Sequence, residues 1–193
     1  MMNLDKLFAL QQQLDDRIRN EHGLEDSDLF MDKVLALYVE IGELANETRC
    51  FKYWSNKPPA DKETILEEYV DGLHFILSLG LELELNKDIP HFAAVNHEAT
   101  TLTGRFLQVV YAINELKQNR SKEAYWYLMT VFFELGEALG FAESDIEQAY
   151  LAKNEVNHQR QERLYSRCGM EPFLEKNLSI EQCFLIADLF IMA

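Results

Sequence analysis

Two acidic signatures in this chain have the residue types and spacing to hold a hard cation: Glu40-Ile41-Gly42-Glu43 and Glu68-Tyr69-Val70-Asp71. Each sits in an apolar pattern of helical period, where residues three apart share a face. Each helix therefore points two carboxylates the same way, and two such helices packed together bring four oxygen ligands around one small space. All-oxygen ligation of this kind suits Mg²⁺. A second constellation lies far along the chain. At 100° per residue, Tyr150, Lys153, Asn157 and Arg160 fall within an arc of about 80°, with Asn154 at its edge. This stripe offers cationic and hydrogen-bonding groups to anionic oxygens. Carboxylates for a metal and a basic stripe for phosphate are together what a nucleoside polyphosphate requires. Mg²⁺ bridging phosphate oxygens also lets an acidic protein accept a polyanion. Water activated by a carboxylate or by the metal can then attack a phosphorus.

The elements that must position these groups read as all-α, because apolar residues recur at helical spacing and strict alternation over a strand length is hard to find. A first helix is expected over Leu4 to Arg19, with Leu7, Leu10, Leu14 and Ile18 on one face and Gln11, Gln12 and Gln13 on its polar side. A second, capped by Asp26 or Ser27, runs through Val34, Leu37, Ile41 and Leu44 towards Arg49 and carries the first acidic pair. Trp54 lies in the segment Lys52 to Pro59, where a double proline forces a loop. The third helix, from Asp61 to about Leu85, carries the second pair. Lys87 to His97 is the least regular stretch. Further helices are expected over Glu98 to Lys117, over Ser121 to Leu139, and from a cap at Ser144 or Asp145 to about Tyr165. An apolar final segment, Ser179 to Ala193, opens on a capping-box pattern of Ser179 and Gln182, and its burial at a dimer interface is the expectation. Glu134-Leu135-Gly136-Glu137 repeats the form of the first signature and suggests an old helical duplication. No acidic pair follows it, so its role is read as structural.

The chain has 193 residues, which fits one domain with a core of its own, taken here as residues 1–193. With 18 basic against 33 acidic residues, a formal net charge of −15 and no dense Lys/Arg run, it is not expected to bind nucleic acid. Three cysteines, Cys50, Cys168 and Cys183, form no disulfide framework or zinc pattern, which fits a reducing, cytoplasmic setting. The charged amino terminus does not read as a secretory signal, and no apolar run reaches the ~18 to 20 residues that span a membrane.

Several segments together resemble the dimeric, all-α deoxyuridine triphosphatases, relatives of the MazG-like pyrophosphatases within the all-α NTP pyrophosphatase fold. They are Leu10-Gln11-Gln12-Gln13-Leu14-Asp15, Glu40 to Glu47, Phe51-Lys52-Tyr53-Trp54-Ser55, Asp71 to Ser78, and Lys153 to Gln161. The resemblance spans about residues 4 to 165 and fades beyond. It implies a helical bundle with a four-helix metal-binding core, a homodimer, and hydrolysis of dUTP to dUMP and pyrophosphate with Mg²⁺. By the same resemblance Glu40, Glu43, Glu68 and Asp71 hold the metal, and Glu43 or Glu40 orients the attacking water, with Glu43 preferred. Gln11, Trp54, His74 and Phe75 would surround the uracil and deoxyribose, Phe75 as the wall that senses a missing 2′-hydroxyl. Tyr150, Lys153, Asn154, Asn157 and Arg160 would face the phosphates. Two other readings stay open: a pyrophosphatase for dCTP or a modified nucleotide, and a non-enzymatic helical interaction protein whose carboxylates serve solubility.

Overall fold

The computed structural model describes residues 2–87 and 101–167, with the side chains of the last helix described as far as residue 162. The described residues form six helices and no strand: α1 (Leu4–His22), α2 (Phe30–Thr48), α3 (Lys62–Glu82), α4 (Leu102–Asn119), α5 (Lys122–Ala138) and α6 (Glu143–Arg167). The all-α expectation holds. The rest of the irregular stretch after Lys87, the residues from Glu98 to Thr100, and the segment Ser179 to Ala193 with its capping box lie outside the described residues.

Side-chain caps fix most of the starts. Asn3, Asp61, Thr101 and Ser121 each accept a hydrogen bond from the backbone N–H three residues on, opening α1, α3, α4 and α5. Thr101 therefore sets the start of α4 at Leu102, later than the period alone suggests. Neither Asp26 nor Ser27 caps α2; its N-cap is Leu29, and Asp28 Oδ1 accepts from the Phe30 N–H at 3.0 Å. Asp145 reaches back instead of capping forward, accepting from the Ala142 N–H at 3.2 Å, so α6 begins at Glu143.

Helix α3 is the hub, packing against α1, α2, α5 and α6, while α2 with α3 and α4 with α5 form two hairpins. Between the hairpins lies a reciprocal contact. Tyr69 of α3 lies over Gly136 of α5 and donates its hydroxyl to the Phe132 carbonyl at 3.1 Å. Tyr125 of α5 lies over Gly80 of α3 and donates to the Ile76 carbonyl at 3.1 Å. In each case the ring fills the space where a Cβ would stand and bonds to the carbonyl four residues before the glycine. Tyr69 further stacks on Phe132, with centroids 4.3 Å apart. In its packing Gly136 resembles Gly80 and not Gly42, around which a Cβ would meet nothing within 4 Å.

Candidate active site

Glu40 on α2 and Glu68 and Asp71 on α3 each place a carboxylate oxygen within 4.8 Å of the others, all half-buried. The α2–α3 hairpin creates this convergence: both signatures face the seam between the helices because their apolar neighbours, Leu37, Ile41 and Leu44 against Val70 and Leu73, are buried there. Glu43 stands apart. It is exposed and outside the three-carboxylate group, yet close enough to raise the pKa values of Glu40 and Glu68.

The electrostatics of the group are those of a site short of positive charge. Burial, and then repulsion from Asp71, Glu43 and Glu68, pushes Glu40 up to about 7. Glu68 is raised by burial and by Asp71 and Glu43. Burial also raises Asp71, although Lys153 of α6 donates to it at 2.6 Å and offsets part of the effect. Lys153 donates to Glu67 as well, at 2.9 Å, and these bonds outweigh its own desolvation to raise its pKa. Half-buried carboxylates that resist ionisation together are the donor set a divalent cation stabilises.

A cleft of about 390 Å³ runs from Glu40 and Asp71 across α1, α3 and α6. That volume lies within the range of small-molecule sites. His74, Phe75, Lys153, Asn157 and Arg160 all line it. So does Gln11, which is 3% exposed and not on an outer polar face, because it sits one turn from Leu7 and from Leu14 on the packed side of α1. Its amide oxygen has two partners and its nitrogen one. Gln11 Nε2 donates to Asp15 Oδ1 at 2.7 Å, while Oε1 takes Tyr150 Oη–H and lies 2.8 Å from His74 Nδ1.

Three predicted residues stand elsewhere. Tyr150 is fully buried, stacked on His74 at 4.1 Å, with its hydroxyl on Gln11. Asn154 is also buried and does not line the cleft. The physical reason is shared: with Ile146 they form the i, i+4, i+8 row by which α6 packs, which leaves Lys153, Asn157 and Arg160 as the row at the opening. Trp54 is 64% exposed in the loop after α2, packed edge-on against Phe51 and Tyr53. The loop is held by Arg49, which donates to Ser55 Oγ at 2.6 Å and to the Lys57 carbonyl at 3.1 Å.

The sequence reading passed over the floor of the cleft. Asp15 receives Lys33 Nζ at 3.0 Å and the Ser78 hydroxyl, and Lys33 and Arg19 both meet Glu82 at 2.5 Å. A signal existed. Asp15 is one turn after Gln11, and Ser78 and Glu82 follow His74 at the same four-residue step, so all project from the same faces as residues already singled out. Glu134, in the second acidic copy, is buried with Arg105 Nη1 at 3.5 Å, consistent with a structural role.

No described helix is long and apolar enough to cross a membrane. Comparison with curated proteins finds no match. A family model described as dUTPase does match, over residues 3–165, and it takes in both acidic signatures, the cleft and the α6 row. On that span the chain belongs to the dUTPase family.

Proposed function

We propose that this protein hydrolyses dUTP to dUMP and pyrophosphate in the cleft, with Mg²⁺ held by Glu40, Glu68 and Asp71. The observation that carries the reading is the joining of two chemistries in one cavity: the three-carboxylate group at one end, and the buried polar pocket of Gln11 and His74 at the other. The bound metal would neutralise triphosphate charge and polarise the phosphoryl oxygens. Glu43, exposed beside the group and outside it, is free to take a proton from the attacking water. Lys153, Asn157 and Arg160 meet phosphate oxygens along α6, and Phe75 supports the sugar.

Pyrophosphate release from dUTP, dCTP, dTTP and UTP, with and without Mg²⁺, tests the reading. The expected result is Mg²⁺-dependent turnover with dUTP strongly preferred. In Lys153→Met, kcat/KM for dUTP is expected to drop by about 10- to 100-fold, the scale of one lost charge-assisted contact to phosphate. Equal rates on all four nucleotides would discard the uracil pocket, and an unchanged Lys153→Met enzyme would remove α6 from the site.

The same reading includes a homodimer. Met31, Leu35 and Val39 stand at 51%, 64% and 50% exposure one turn apart on α2, beside Leu107 and Tyr111 at 64% and 57% on the adjoining α4. In a chain this acidic, an apolar face of that extent calls for a partner, and a second copy meeting it across a twofold axis is the simplest one. Light scattering should give twice the chain mass, and Leu35→Glu should shift it to one. A wild-type monomer at micromolar concentration would exclude the dimer.

A further inference from the structure

The polar groups beneath the cleft form a chain whose hydrogen-bond directions are forced from one end. The Lys33 ammonium can only donate, and it donates to Asp15 Oδ2 at 3.0 Å. The Asp15 carboxylate can only accept, so the Gln11 atom 2.7 Å from its Oδ1 is the amide nitrogen. This orientation turns Gln11 Oε1 towards Tyr150 Oη, 2.8 Å away, and towards His74 Nδ1, 2.8 Å away. Both neighbours must donate. His74 Nδ1 therefore carries the hydrogen, and stacking of the ring on Tyr150 at 4.1 Å holds it in that orientation.

The other ring nitrogen has no partner. His74 is 6% exposed, its Nε2 is buried without a hydrogen bond, and the residue lines the cleft. Burial, with Lys153 nearby, brings the ring down to about 3, so it is neutral at physiological pH. A neutral imidazole with hydrogen on Nδ1 presents a lone pair at Nε2. A buried acceptor of this kind rewards a ligand that brings a donor and penalises one that brings a second lone pair.

We propose that His74 Nε2 selects the base by accepting the imide N3–H, with Gln11 and Asp15 as positioning residues that fix the imidazole tautomer. Uracil carries hydrogen at N3, whereas cytosine carries a lone pair there. The proposal rests on the dUTP reading of the site, and it gives Gln11 and Asp15 a positioning role. It also explains why two ionic residues, Lys33 and Asp15, lie beneath a pocket for a neutral base: they set the direction of every hydrogen bond above them.

The test begins with a long-range proton–nitrogen NMR spectrum of the full chain, in which the His74 signals are identified by their loss in His74→Asn. The expected spectrum shows hydrogen on Nδ1 and none on Nε2, and hydrogen on Nε2 would overturn the proposal. Asp15→Asn keeps the shape but supplies an amide that can donate, so Gln11 can turn over and present its own amide to Nδ1. The hydrogen is then expected to move to Nε2 in part of the population, and the preference for dUTP over dCTP to fall about 10- to 100-fold, the worth of one buried hydrogen bond. A moved hydrogen with unchanged preference would overturn it.

Wild-type enzyme gives an independent arm if that variant misfolds. N3-methyl-dUTP should lose about 10- to 100-fold in kcat/KM, while 2′,3′-dideoxyuridine triphosphate, which keeps N3–H, should not. The reverse ranking would assign the donor to the sugar hydroxyl and overturn the imide contact. Failure to hydrolyse any nucleotide would fall on the dUTP reading, and the nitrogen spectrum would still decide the tautomer.

Discussion

Replacing Glu40 with glutamine is expected to stabilise the metal-free protein at pH 8 while reducing dUTP turnover at least about a hundredfold, a scale set by losing one preorganised charge from a site of this type. The two effects have one cause. Glu40 titrates at about 7 in the fold against an ordinary value of 4.5, because it is part-buried and faces Asp71, Glu43 and Glu68. Between those values the folded protein retains a proton that the unfolded chain has released, so stability present at low pH is lost as pH rises through about 7. Glu68 and Asp71 are raised too and act in the same direction. After allowance for solvent screening the penalty at pH 8 is on the order of 1 kcal/mol, or roughly 2–4 °C in melting temperature for a chain of this size.

Glutamine cannot ionise, so the variant escapes that penalty and loses a charged oxygen for the metal. Thermal melts in chelator at pH 5.5 and pH 8 should show the wild type losing stability at the higher pH and the variant losing less. Added Mg²⁺ should raise the wild-type midpoint at pH 8 and raise the variant's far less, since a ligand stabilises by its affinity for the native state. A variant that melts below wild type in chelator at pH 8 would show that the carboxylates do not repel one another as the structure indicates. Full activity would show that Glu40 is not a ligand.

The second large effect is on the fold. Gly80→Ala would put a Cβ 2.6 Å from Tyr125 Cζ and 2.9 Å from Phe8 Cε1, with neither ring able to withdraw. Tyr125 is fully buried and bonded to the Ile76 carbonyl, and Phe8 is 2% exposed. Alanine normally favours a helix over glycine, but overpacking dominates here, and a loss of about 3 kcal/mol is expected, near 6–12 °C in midpoint. Gly136→Ala meets Tyr69 in the same way, with Cζ at 2.8 Å. Gly42→Ala has the opposite sign. Its Cβ meets nothing within 4 Å, so removing a helical glycine should add roughly 0.5–1 kcal/mol. Chemical denaturation of the three variants checks the ranking, and equal midpoints for Gly42→Ala and Gly80→Ala would refute the reciprocal tyrosine contact.

Those glycines show where sequence similarity misleads. Glu40-Ile41-Gly42-Glu43 and Glu134-Leu135-Gly136-Glu137 read almost alike, yet one glycine is exposed and the other lies under a ring. The internal relation the structure supports, Tyr69 with Gly80 and Tyr125 with Gly136, joins α3 to α5 at equal spacing and is hidden among ordinary core residues. Only a packed interface shows that a glycine is there for a neighbour's ring.

By itself the sequence determined the order and period of the described helices, because the period is a local property of neighbouring residues, while the starts of α2, α4 and α6 differ from those expected. It also put Glu40 with Glu43 and Glu68 with Asp71 on shared helical faces, since three-residue spacing fixes a face whatever the helix packs against. The family resemblance singled out Gln11 and His74. Only the tertiary structure decided which way those groups point and what they touch: that Glu43 stands outside the three carboxylates, that Tyr150 and Asn154 turn into the core, and that Gln11 is spent on Asp15, Tyr150 and His74. The reason is physical. A helix fixes the angle between its own side chains, but the rotation of one helix against the next is chosen by the whole core, and hydrogen-bond polarity is inherited from partners distant in the chain.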